Sequence, residues 1–529
     1  MSEKHFRGQK VALIIGAGPA GLAAANELLS KTDYTPLLIE KEKLVGGIAR
    51  TVSHKGNLLD LGPHHFITKE NDIWAWWRKF MPTQGDLDAK ECLRHCDDDF
   101  SSKCTCDINP DNTDDVMLIK KRLTRIYHDK NVFEYPMSIS YDTIRKLGFT
   151  NLTAMAASYG YARLFPRKPE ATLEDFFINR FGHKTYKRFF ESYSEKVWGM
   201  HCSQMGVDLG AHRVRNVSIG KTIGNAVRSM LPEKVGDRVF GSAERSFAKR
   251  FVYPKLGSGQ LWTKVADHIE SNGGIILREH EAVSLKMSGN RVVGVNVRDL
   301  KEQKDFYIST EYCFSSAPIR DLISSIDGNV PRDVAEVASG LRYRGLIVVG
   351  MLLKNFVLPG VGKGAKDHWI YVQEPYAKAA RFTIFNNWSP LRIVDPRNTW
   401  LALELYAQPG DEFWNQNDDQ IIEFASRELG LLNVAGKHDV LTANVVRVPE
   451  ATPMYAGEYN RIDVVEKFVD DTKNLFLIGR NGMHRYNNQD HAVMSGIKAV
   501  ESIVRADVPK ADVWLVNAAK TARAGGPCD

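Results

Sequence analysis

The fold is decided by the stretch Val11-Ala-Leu-Ile-Ile-Gly-Ala-Gly-Pro-Ala-Gly21, in which an apolar run leads into three glycines and then a helical pattern. Gly16 permits a tight turn, Gly18 lets the backbone approach phosphates, and Gly21 lets the helix pack closely on the strand. The N-terminus of the helix offers free N–H groups and a positive dipole end to an anion. The stretch therefore predicts a binding site for a dinucleotide pyrophosphate.

An acidic residue and a second glycine pair follow at informative distances. Glu40 ends the next apolar run, where a carboxylate can hydrogen-bond a ribose hydroxyl and would repel the 2′-phosphate of NADP. Gly46-Gly47 and Arg50 come next and add donors near the same pyrophosphate. Leu61-Gly-Pro-His-His-Phe66 follows shortly.

This order of motifs resembles the FAD-binding start of the superfamily of amine oxidases, protoporphyrinogen oxidases and UDP-galactopyranose mutases. The resemblance implies FAD as the cofactor. It also implies an α/β fold, with a Rossmann-like FAD-binding domain of the GR2 type interleaved with an α+β substrate domain.

Composition sets broad limits on the function. With 529 residues, 43% hydrophobic and 25% charged, the chain suits a globular protein of two or more domains. An excess of six cations is small for this length, so it gives no case for a nucleic-acid partner. The polar residues 1–10 and the lack of a long apolar run predict a cytoplasmic protein without a membrane span.

Four of the seven cysteines crowd into a short acidic region, at positions Cys92, Cys96, Cys104 and Cys106. Their C-x3-C and C-x-C spacings lack the paired C-x2-C knuckles of structural zinc sites. We therefore expect a reduced surface insertion and no metal, with a zinc or iron–sulfur site as the open alternative.

The motifs divide the chain into interleaved domains. Residues 1–70, 251–326 and 470–505 are assigned to the FAD-binding domain, because each block carries strand, glycine turn or helix patterns of that fold. Residues 71–250, which we expect to be mostly helical, and residues 327–469 form the substrate domain. Residues 506–529 are expected to be a flexible tail.

Two central segments suggest a substrate site. Ser194-Glu-Lys-Val-Trp-Gly199 resembles the lysine–x–tryptophan–glycine segment of the mutases, which implies that Trp198 lies beside a nucleotide base. Arg342 and Arg344 alternate along an expected strand and would share one face, where guanidinium groups suit phosphate oxygens. A core tryptophan and solvated arginines are the alternative interpretations.

The turn Gly479-Arg-Asn-Gly-Met-His-Arg-Tyr-Asn-Asn-Gln-Asp-His491 is unusually polar for a segment that follows a buried strand. Such a density of polar groups is unfavourable to bury without a ligand. It resembles the mutase turn that contacts both the flavin and the sugar diphosphate. The chain departs from the mutases at Asn488, where they usually have aspartate, and at Val197, where they usually have glutamine. Galactose specificity is therefore not implied.

Three sets of site residues follow from these motifs and resemblances. The residues expected to hold FAD are Gly16, Gly18, Gly21, Glu40, Gly46, Gly47, Arg50, Gly62, His65, Gly479 and Arg480. The catalytic candidates are His64, His484, Arg485 and Tyr486. The substrate-binding candidates are Trp198, Arg213, Arg342, Arg344, Asn386, Trp388 and Asn488.

Two functions remain open at this point. The first is a flavoenzyme that isomerises or oxidises a nucleotide- or lipid-diphosphate sugar, and the second is an oxidase or desaturase like the amine and protoporphyrinogen oxidases. Segments such as Trp369-Ile-Tyr-Val-Gln-Glu-Pro375 look closest to the mutase-like bacterial FAD-dependent oxidoreductases. The arginines near the last turn favour a small anionic substrate, either a diphosphate sugar or a porphyrin with its carboxylates, and the oligomeric state is left open.

Overall fold

A five-stranded parallel sheet forms the centre of the protein. The computed structural model describes residues 10–84, 108–135, 141–207 and 250–518. The first strand of the chain is the central strand of this sheet, and its neighbours come from distant parts of the sequence. This arrangement confirms the Rossmann-like α/β fold. In spatial order the strands are Leu475–Leu477, Tyr312–Ser315, Val11–Ile15, Thr35–Glu40 and Ile275–Arg278.

Three long helices cover this sheet, because each presents small or apolar residues to it. The helix Pro19–Lys31 packs on the helix Gln489–Val504, and a Cβ at Gly496 would lie 2.4 Å from the carbonyl oxygen of Ala20. The helix Ser258–Ser271 buries Leu261, Trp262, Val265, Ala266 and Ile269 in the same core.

A smaller four-stranded sheet and three two-stranded pairs are also present in the described residues. The smaller sheet has the order Lys304–Ser309, Arg291–Asp299, His280–Ser288 and Ile326–Asp327. The two-stranded pairs are Thr51–His54 with Asn57–Asp60, Met117–Lys121 with Arg250–Pro254, and Val357–Leu358 with Gly362–Lys363.

A seven-stranded sheet forms the core of the substrate domain, with the helix Asp418–Leu431 packed against it. Neighbouring strands are antiparallel except for one parallel pair, Trp369–Val372 with Thr124–His128. In spatial order the strands are Val440–Pro453, Tyr343–Leu353, Thr399–Ala407, Ala379–Ile384, Trp369–Val372, Thr124–His128 and Asn131–Glu134.

A helical region lies beside this sheet. Its helices are Tyr141–Leu147, Phe149–Leu164, Leu173–Phe181, His183–Thr185 and Ser192–Trp198, with a π-helical turn at Tyr186–Glu191. No helix in the described part of the chain combines the length and apolarity that a bilayer crossing requires.

The domain boundaries differ from the prediction. Three helices assigned to the substrate domain instead bury apolar faces in the core of the five-stranded sheet: Asn71–Phe80, Arg332–Gly340 and Ile462–Asp471. Between residues 71 and 250, the described residues also include strands where mostly helix was expected. The 14-residue strand Val440–Pro453 was not predicted at all.

The expectation of a flexible tail from residue 506 is wrong for residues 506–518. Lys510–Leu515 form a short 3-10 helix, and Val513, Trp514 and Val516 are buried in the core of the five-stranded sheet. Lys510 donates hydrogen bonds to the carbonyl oxygens of Val469 and Thr472, both at 2.5 Å. Residues 519–529 lie outside the described part of the chain.

Candidate cofactor and active site

One large cavity of about 890 Å³ lies where the two domains meet. This volume falls within the roughly 300–1,000 Å³ range of small-molecule and cofactor sites. The three separated blocks of the five-stranded sheet all contribute to its wall, and the strand Val440–Pro453 of the substrate domain closes it through residues 447–451. The cavity therefore joins the parts of the chain in which the cofactor motifs were found.

The first glycine turn has the geometry that its sequence predicts. Gly16 adopts a φ of +96°, and its N–H donates to the carbonyl oxygen of Ile39 at 2.8 Å. A Cβ at Gly21 would lie only 2.0 Å from the carbonyl oxygen of Gly16, so helix and strand touch there. A Cβ at Gly18 would have room, since its nearest neighbour is Gly47 Cα at 3.8 Å. Gly18 lines the cavity at the start of the helix and thus leaves space for a ligand.

Glu40 lines the cavity with its carboxylate held in place. Its Oε2 accepts the N–H of Ala17 at 2.7 Å, and its Oε1 accepts the N–H of Glu42 at 2.9 Å. Burial raises the pKa of Glu40, whereas these two hydrogen bonds favour the charged form. The carboxylate is oriented as a ribose-binding group requires. We call the part of the cavity lined by Glu40–Glu42 and His280–Ala282 the ribose end.

The second glycine pair lies directly against the first. Gly47 adopts a φ of +56°, and a Cβ there would be 3.3 Å from Gly18 Cα. Gly46 has a φ of +101° and donates its N–H to the carbonyl oxygen of Ala17 at 2.8 Å. Arg50 lines the cavity and donates from Nη1 to the carbonyl oxygen of Gly47 at 2.9 Å. Backbone of both glycine turns and one cation therefore meet at the same section of the cavity.

The C-terminal turn brings Arg480 to the cavity wall. Gly479 has a φ of +75° and begins the turn beside the helix Pro19–Lys31, where its Cβ would lie 3.0 Å from Ala20 Cβ. Arg480 donates from Nε to the carbonyl oxygen of Asn487 at 2.9 Å and from Nη1 to that of Ala451 at 3.2 Å. Among the described residues, its Nη2 has no protein acceptor.

Two half-buried histidines, His64 and His65, occupy another part of the wall. Together with Arg480, which also lines the cavity, and with the adjacent Gly62 and Arg381, they form what we call the histidine end. Burial lowers the pKa of His64 to about 3, and the charges of Arg480 and Arg381 add to this effect. His64 lines the cavity, and its buried Nδ1 has no hydrogen-bond partner in the described protein. Burial also lowers the pKa of His65 to about 4. Both imidazoles are therefore neutral at physiological pH.

His65 is fixed by its neighbours. Its Nδ1 lies 3.1 Å from the carbonyl oxygen of Pro63, and its ring stacks on Trp369 with centroids 5.3 Å apart. Gln489 Nε2 donates weak hydrogen bonds to the carbonyl oxygens of both histidines, at 3.4 and 3.5 Å. Trp262 in turn donates to Gln489 Oε1 at 2.8 Å. The FAD-domain helices therefore hold the histidine turn in one conformation.

Sequence reasoning missed an ion pair at the histidine end. Arg381 donates from Nε to Glu404 Oε1 at 2.8 Å, and its Nη2 bonds the other carboxylate oxygen. Glu404 is fully buried, while the Arg381 side chain is 18% exposed. Burial disfavours the charge of Arg381, but the adjacent carboxylate outweighs this and holds the pKa of the guanidinium above its usual value. The two residues face each other across adjacent strands, a pairing that needs the strand register and was not readable from the sequence.

The geometry places Arg381 close to the predicted site residues. A Cβ at Gly62 would lie 3.7 Å from Arg381 Nη2 and 3.5 Å from His64 Cε1. Only Gly fits this position comfortably, because the φ of Gly62 is +137°. Among the described residues, Arg381 Nη1 has no protein acceptor. Arg480 in the cavity wall and Arg381 beside Gly62 therefore each keep guanidinium N–H donors that no described residue accepts.

The lysine–x–tryptophan–glycine segment does not reach the cavity. Trp198 is 2% exposed and packs in the core of the helical region. Lys196 donates to the carbonyl oxygens of Val372, Glu374 and Ala379 at 2.9–3.0 Å, and burial lowers its pKa to about 8. The segment thus joins the helix Ser192–Trp198 to the seven-stranded sheet.

Arg342 and Arg344 do not line the cavity either. The strand begins at Tyr343, so Arg342 lies outside it and is exposed. Arg344 donates to the carbonyl oxygens of Val197 at 3.2 Å and Tyr406 at 3.3 Å. Of the two arginines expected on one strand, only Arg344 lies within it. Arg213 lies outside the described residues, as do Cys92, Cys96, Cys104 and Cys106.

Asn386 and Trp388 have structural contacts. Asn386 bridges to the next strand by donating to the carbonyl oxygen of Asn398 at 2.9 Å and accepting the N–H of Trp400 at 2.9 Å. Trp388 is fully buried and donates to the carbonyl oxygen of His368 at 3.0 Å. Neither residue lines the cavity, whereas Asn488 is exposed and does line it.

The three remaining catalytic candidates, His484, Arg485 and Tyr486, contact protein groups that hold the C-terminal turn in place. His484 is buried, with Nε2 3.0 Å from the carbonyl oxygen of Met454, and burial lowers its pKa to about 4. Arg485 bonds the carbonyl oxygens of Trp514 and Val516 and lies 3.6 Å from Glu466. The aromatic ring of Tyr486 lies 4.8 Å from the Arg480 guanidinium. None of the three lines the cavity.

The fold and the cavity together are those of a dinucleotide-binding protein, with a cavity lined by glycine turns from separated parts of the chain. The model of the family described as flavin containing amine oxidoreductase matches residues 19–504. The chain belongs to this family, and its cofactor is FAD. The glycine turns, Glu40 and Arg50 fit that cofactor, because they present backbone donors, a ribose acceptor and a cation along one cavity.

Solved structures share the fold at low sequence identity. The crystal structure of a reduced UDP-galactopyranose mutase is 18% identical with a TM-score of 0.74, covering 96% of this chain and 99% of its own. A protein of Exiguobacterium sp. 255-15 described as a protoporphyrinogen oxidase is 15% identical with a TM-score of 0.62, covering 94% and 98%. Putrescine oxidase bound to putrescine is 12% identical with a TM-score of 0.57, covering 94% and 99%. At these identities the likeness concerns the fold.

Proposed function

We propose that the protein is an FAD-dependent enzyme that acts on a small anionic substrate, with a nucleotide- or lipid-diphosphate sugar as the substrate class. The observation that supports this proposal is the histidine end, where Arg381 and Arg480 both keep guanidinium N–H donors that no described residue accepts. Guanidinium groups bind phosphate and carboxylate oxygens by paired N–H donors. The likeness in fold to a UDP-galactopyranose mutase favours the diphosphate sugar.

We assign the isoalloxazine to the histidine end, because Glu40, the residue expected to bind the ribose, lines the other end of the same cavity. When bound, FAD supplies hydride acceptance or, in its reduced form, a nucleophilic nitrogen. The neutral His64 offers a buried Nδ1 for one hydrogen bond, as donor or acceptor according to its tautomer. Its low pKa prevents it from adding a positive charge beside the two arginines.

A second candidate function is oxidation or desaturation of a substrate by the flavin, as in the amine and protoporphyrinogen oxidases. One observation favours it: Arg344 and Arg485 bind backbone carbonyl oxygens, and neither lines the cavity. The two guanidinium groups of the histidine end, those of Arg381 and Arg480, then remain for the substrate. Two guanidinium groups suffice for a carboxylate as well as for a phosphate.

Titration of the purified yellow protein separates the two functions. After anaerobic photoreduction, addition of UDP, dTDP or GDP is expected to perturb the flavin absorption spectrum. Rapid flavin reduction by amines or porphyrinogens, without any nucleotide response, would contradict the sugar proposal and select the oxidase.

A matched pair of variants links the response to the site. Arg480→Met is expected to remove the nucleotide response, because Arg480 lines the cavity. Arg485→Met is the control, since its guanidinium contacts the segment Lys510–Val516 behind the turn. Loss of the response in the Arg485 variant alone would refute this assignment of the two arginines.

A further inference from the structure

The helix Phe149–Leu164 leaves an apolar face uncovered in the described structure. Ala154, Ala157, Tyr161 and Leu164 follow one another at helical spacing and are all exposed, and Phe165 continues the same side. We call these five residues the apolar stripe. Tyr161, Leu164 and Phe165 are 66%, 76% and 65% exposed. From Thr150 to Ala162 the sequence contains no charged residue.

The opposite face of this helix is already used for packing. Ala162 is buried in the core of the helical region, together with apolar residues of the helix Leu173–Phe181. A Cβ at Gly182 would lie 2.6 Å from the backbone nitrogen of Tyr159, so the two segments touch. The apolar stripe is therefore not required for the packing of the helical region.

A basic groove of about 440 Å³ adjoins the end of the apolar stripe. Of its four cations, Arg167 and Arg180 pair with carboxylates at 2.8–3.2 Å. Arg163 and Lys168 are exposed and have no ion-pair partner among the described residues. The groove is lined by Ala162, Arg163, Pro166, Arg167, Lys168, Glu170, Asn179 and Arg180. Large apolar side chains thus stand beside two uncompensated cations.

A second copy of the chain is a poor occupant of this face. A two-fold axis through the end of the apolar stripe would place the two basic grooves close together, because such an interface pairs the same surface on both copies. Like charges brought together in this way oppose association.

Aromatic and aliphatic side chains beside Lys and Arg are instead the composition of a surface that lies at a bilayer interface. Negatively charged headgroups attract the cations while the apolar side chains enter the acyl boundary. We propose that the apolar stripe and the basic groove dock the protein peripherally on an anionic phospholipid membrane. This docking is independent of the substrate assigned above.

Vesicle flotation of the FAD-loaded full-length protein tests the proposal. The protein is expected to float with vesicles of phosphatidylcholine and phosphatidylglycerol, and far less with phosphatidylcholine alone. Raising the salt to about 1 M, where the Debye length is roughly 3 Å, should release the protein from the vesicles.

Two double variants test the two parts of the surface. Arg163→Ser/Lys168→Ser should lower the membrane partition coefficient by roughly 25-fold, since each basic residue contributes roughly a factor of five to it. Leu164→Ser/Phe165→Ser should lower it by more than roughly tenfold.

Matched controls change exposed residues elsewhere on the chain. Lys366→Ser/Lys467→Ser removes two exposed lysines, and Leu431→Ser replaces a leucine that is 54% exposed. Both controls should float like the unchanged protein, and flavin absorbance reports that every variant is folded.

Three results would overturn the proposal: absence of flotation with anionic vesicles, equal flotation with neutral vesicles, or unchanged flotation of either test variant. A change in molar mass of the Leu164/Phe165 variant by light scattering would overturn it in favour of a second copy.

Discussion

The ribose end and the histidine end of the cavity differ in the groups that form their contacts, which are mainly backbone groups at the first and side chains at the second. At the ribose end and the glycine turns, contacts come from backbone N–H groups, from glycines without side chains and from one carboxylate held by backbone. At the histidine end they come from side chains: Arg381 pairs with Glu404 on the adjacent strand of the seven-stranded sheet and lies near His64, which belongs to the other domain. Backbone geometry is specified locally by glycine, whereas side-chain pairing depends on strand register and domain contact. A site built from backbone groups and glycines can therefore be predicted from the sequence more readily than a site built from paired side chains.

The strongest test of the backbone part is Gly21→Ala. The added methyl group would overlap the carbonyl oxygen of Gly16 at 2.0 Å, so helix and strand must separate. We expect a loss of at least ~3 kcal/mol of folding stability and little bound flavin, measured by thermal unfolding and flavin absorbance.

Gly18→Ala is the matched control. Its φ of −78° accommodates alanine, and the nearest atom to the new Cβ is 3.8 Å away. This variant should fold normally and lose FAD affinity only, because its methyl group borders the cavity. A folded, flavin-loaded Gly21 variant would contradict the close packing described above.

At the histidine end, Glu404→Gln is expected to have the next largest effect. It leaves the buried guanidinium of Arg381 without its counter-charge, which should destabilise the fold by about 3–5 kcal/mol in denaturant unfolding. The double variant Glu404→Gln/Arg381→Met should recover much of that loss but should not recover the anion response. If Glu404→Gln is as stable as the parent protein, the ion pair is not a structural element.

Acid should destabilise the protein through its buried histidines. The pKa of His64 is about 3 when folded and ordinarily about 6.5, so on acidification the unfolded chain takes up the proton first. The stability that depends on neutral His64 is present above about pH 6.5 and falls toward pH 3 by about 1.4 kcal/mol per pH unit. The same direction holds for the groups whose pKa is about 4, which are His65, His368 and His484.

His64→Gln should therefore make unfolding free energy less steeply dependent on pH between about 6 and 4, by up to one proton. The exposed His183→Gln serves as its control. If the slope of unfolding free energy against pH is unchanged in His64→Gln, the imidazole of His64 takes up its proton in the folded protein as readily as in the unfolded chain.

The smallest expected effect belongs to Arg342→Ala. Arg342 is exposed and lies outside the strand that begins at Tyr343, so stability should change by less than ~0.5 kcal/mol. The flavin response to nucleotides should also be unchanged. Loss of that response would restore Arg342 to the substrate site and would weaken the contrast between the two ends.

The same contrast explains how far the sequence could predict the structure. Gly16, Gly18 and Glu40 carry their geometry in local spacing, so the fold class and the cofactor were predictable. Trp198 was assigned to a nucleotide by its motif, yet it is buried. Lys196 anchors its helix to the carbonyl oxygens of Val372, Glu374 and Ala379 at the seven-stranded sheet. Such an anchor becomes visible only when the sheet is assembled.

The strand Val440–Pro453 was missed although its β-branched run Val445-Val-Arg-Val448 is a strand signal. Without it, the cavity lacks the wall formed by residues 447–451. Arg485 was assigned to the catalytic site because it sits in a polar turn. Its partners lie in Lys510–Val516, a segment expected to be flexible, so the sequence offered no alternative contact.

The central position of the strand Val11–Ile15 has a consequence for biosynthesis. Leu13 donates its N–H to Thr310, 297 residues further along the chain, beside the strand that covers its open side. At a translation rate of about 5–20 residues per second, that partner emerges roughly 15–60 s later. An apolar strand edge thus remains unpaired on the nascent polypeptide for most of its synthesis, and unpaired edges invite aggregation. Ribosome-associated chaperones should therefore raise the yield of soluble holoprotein.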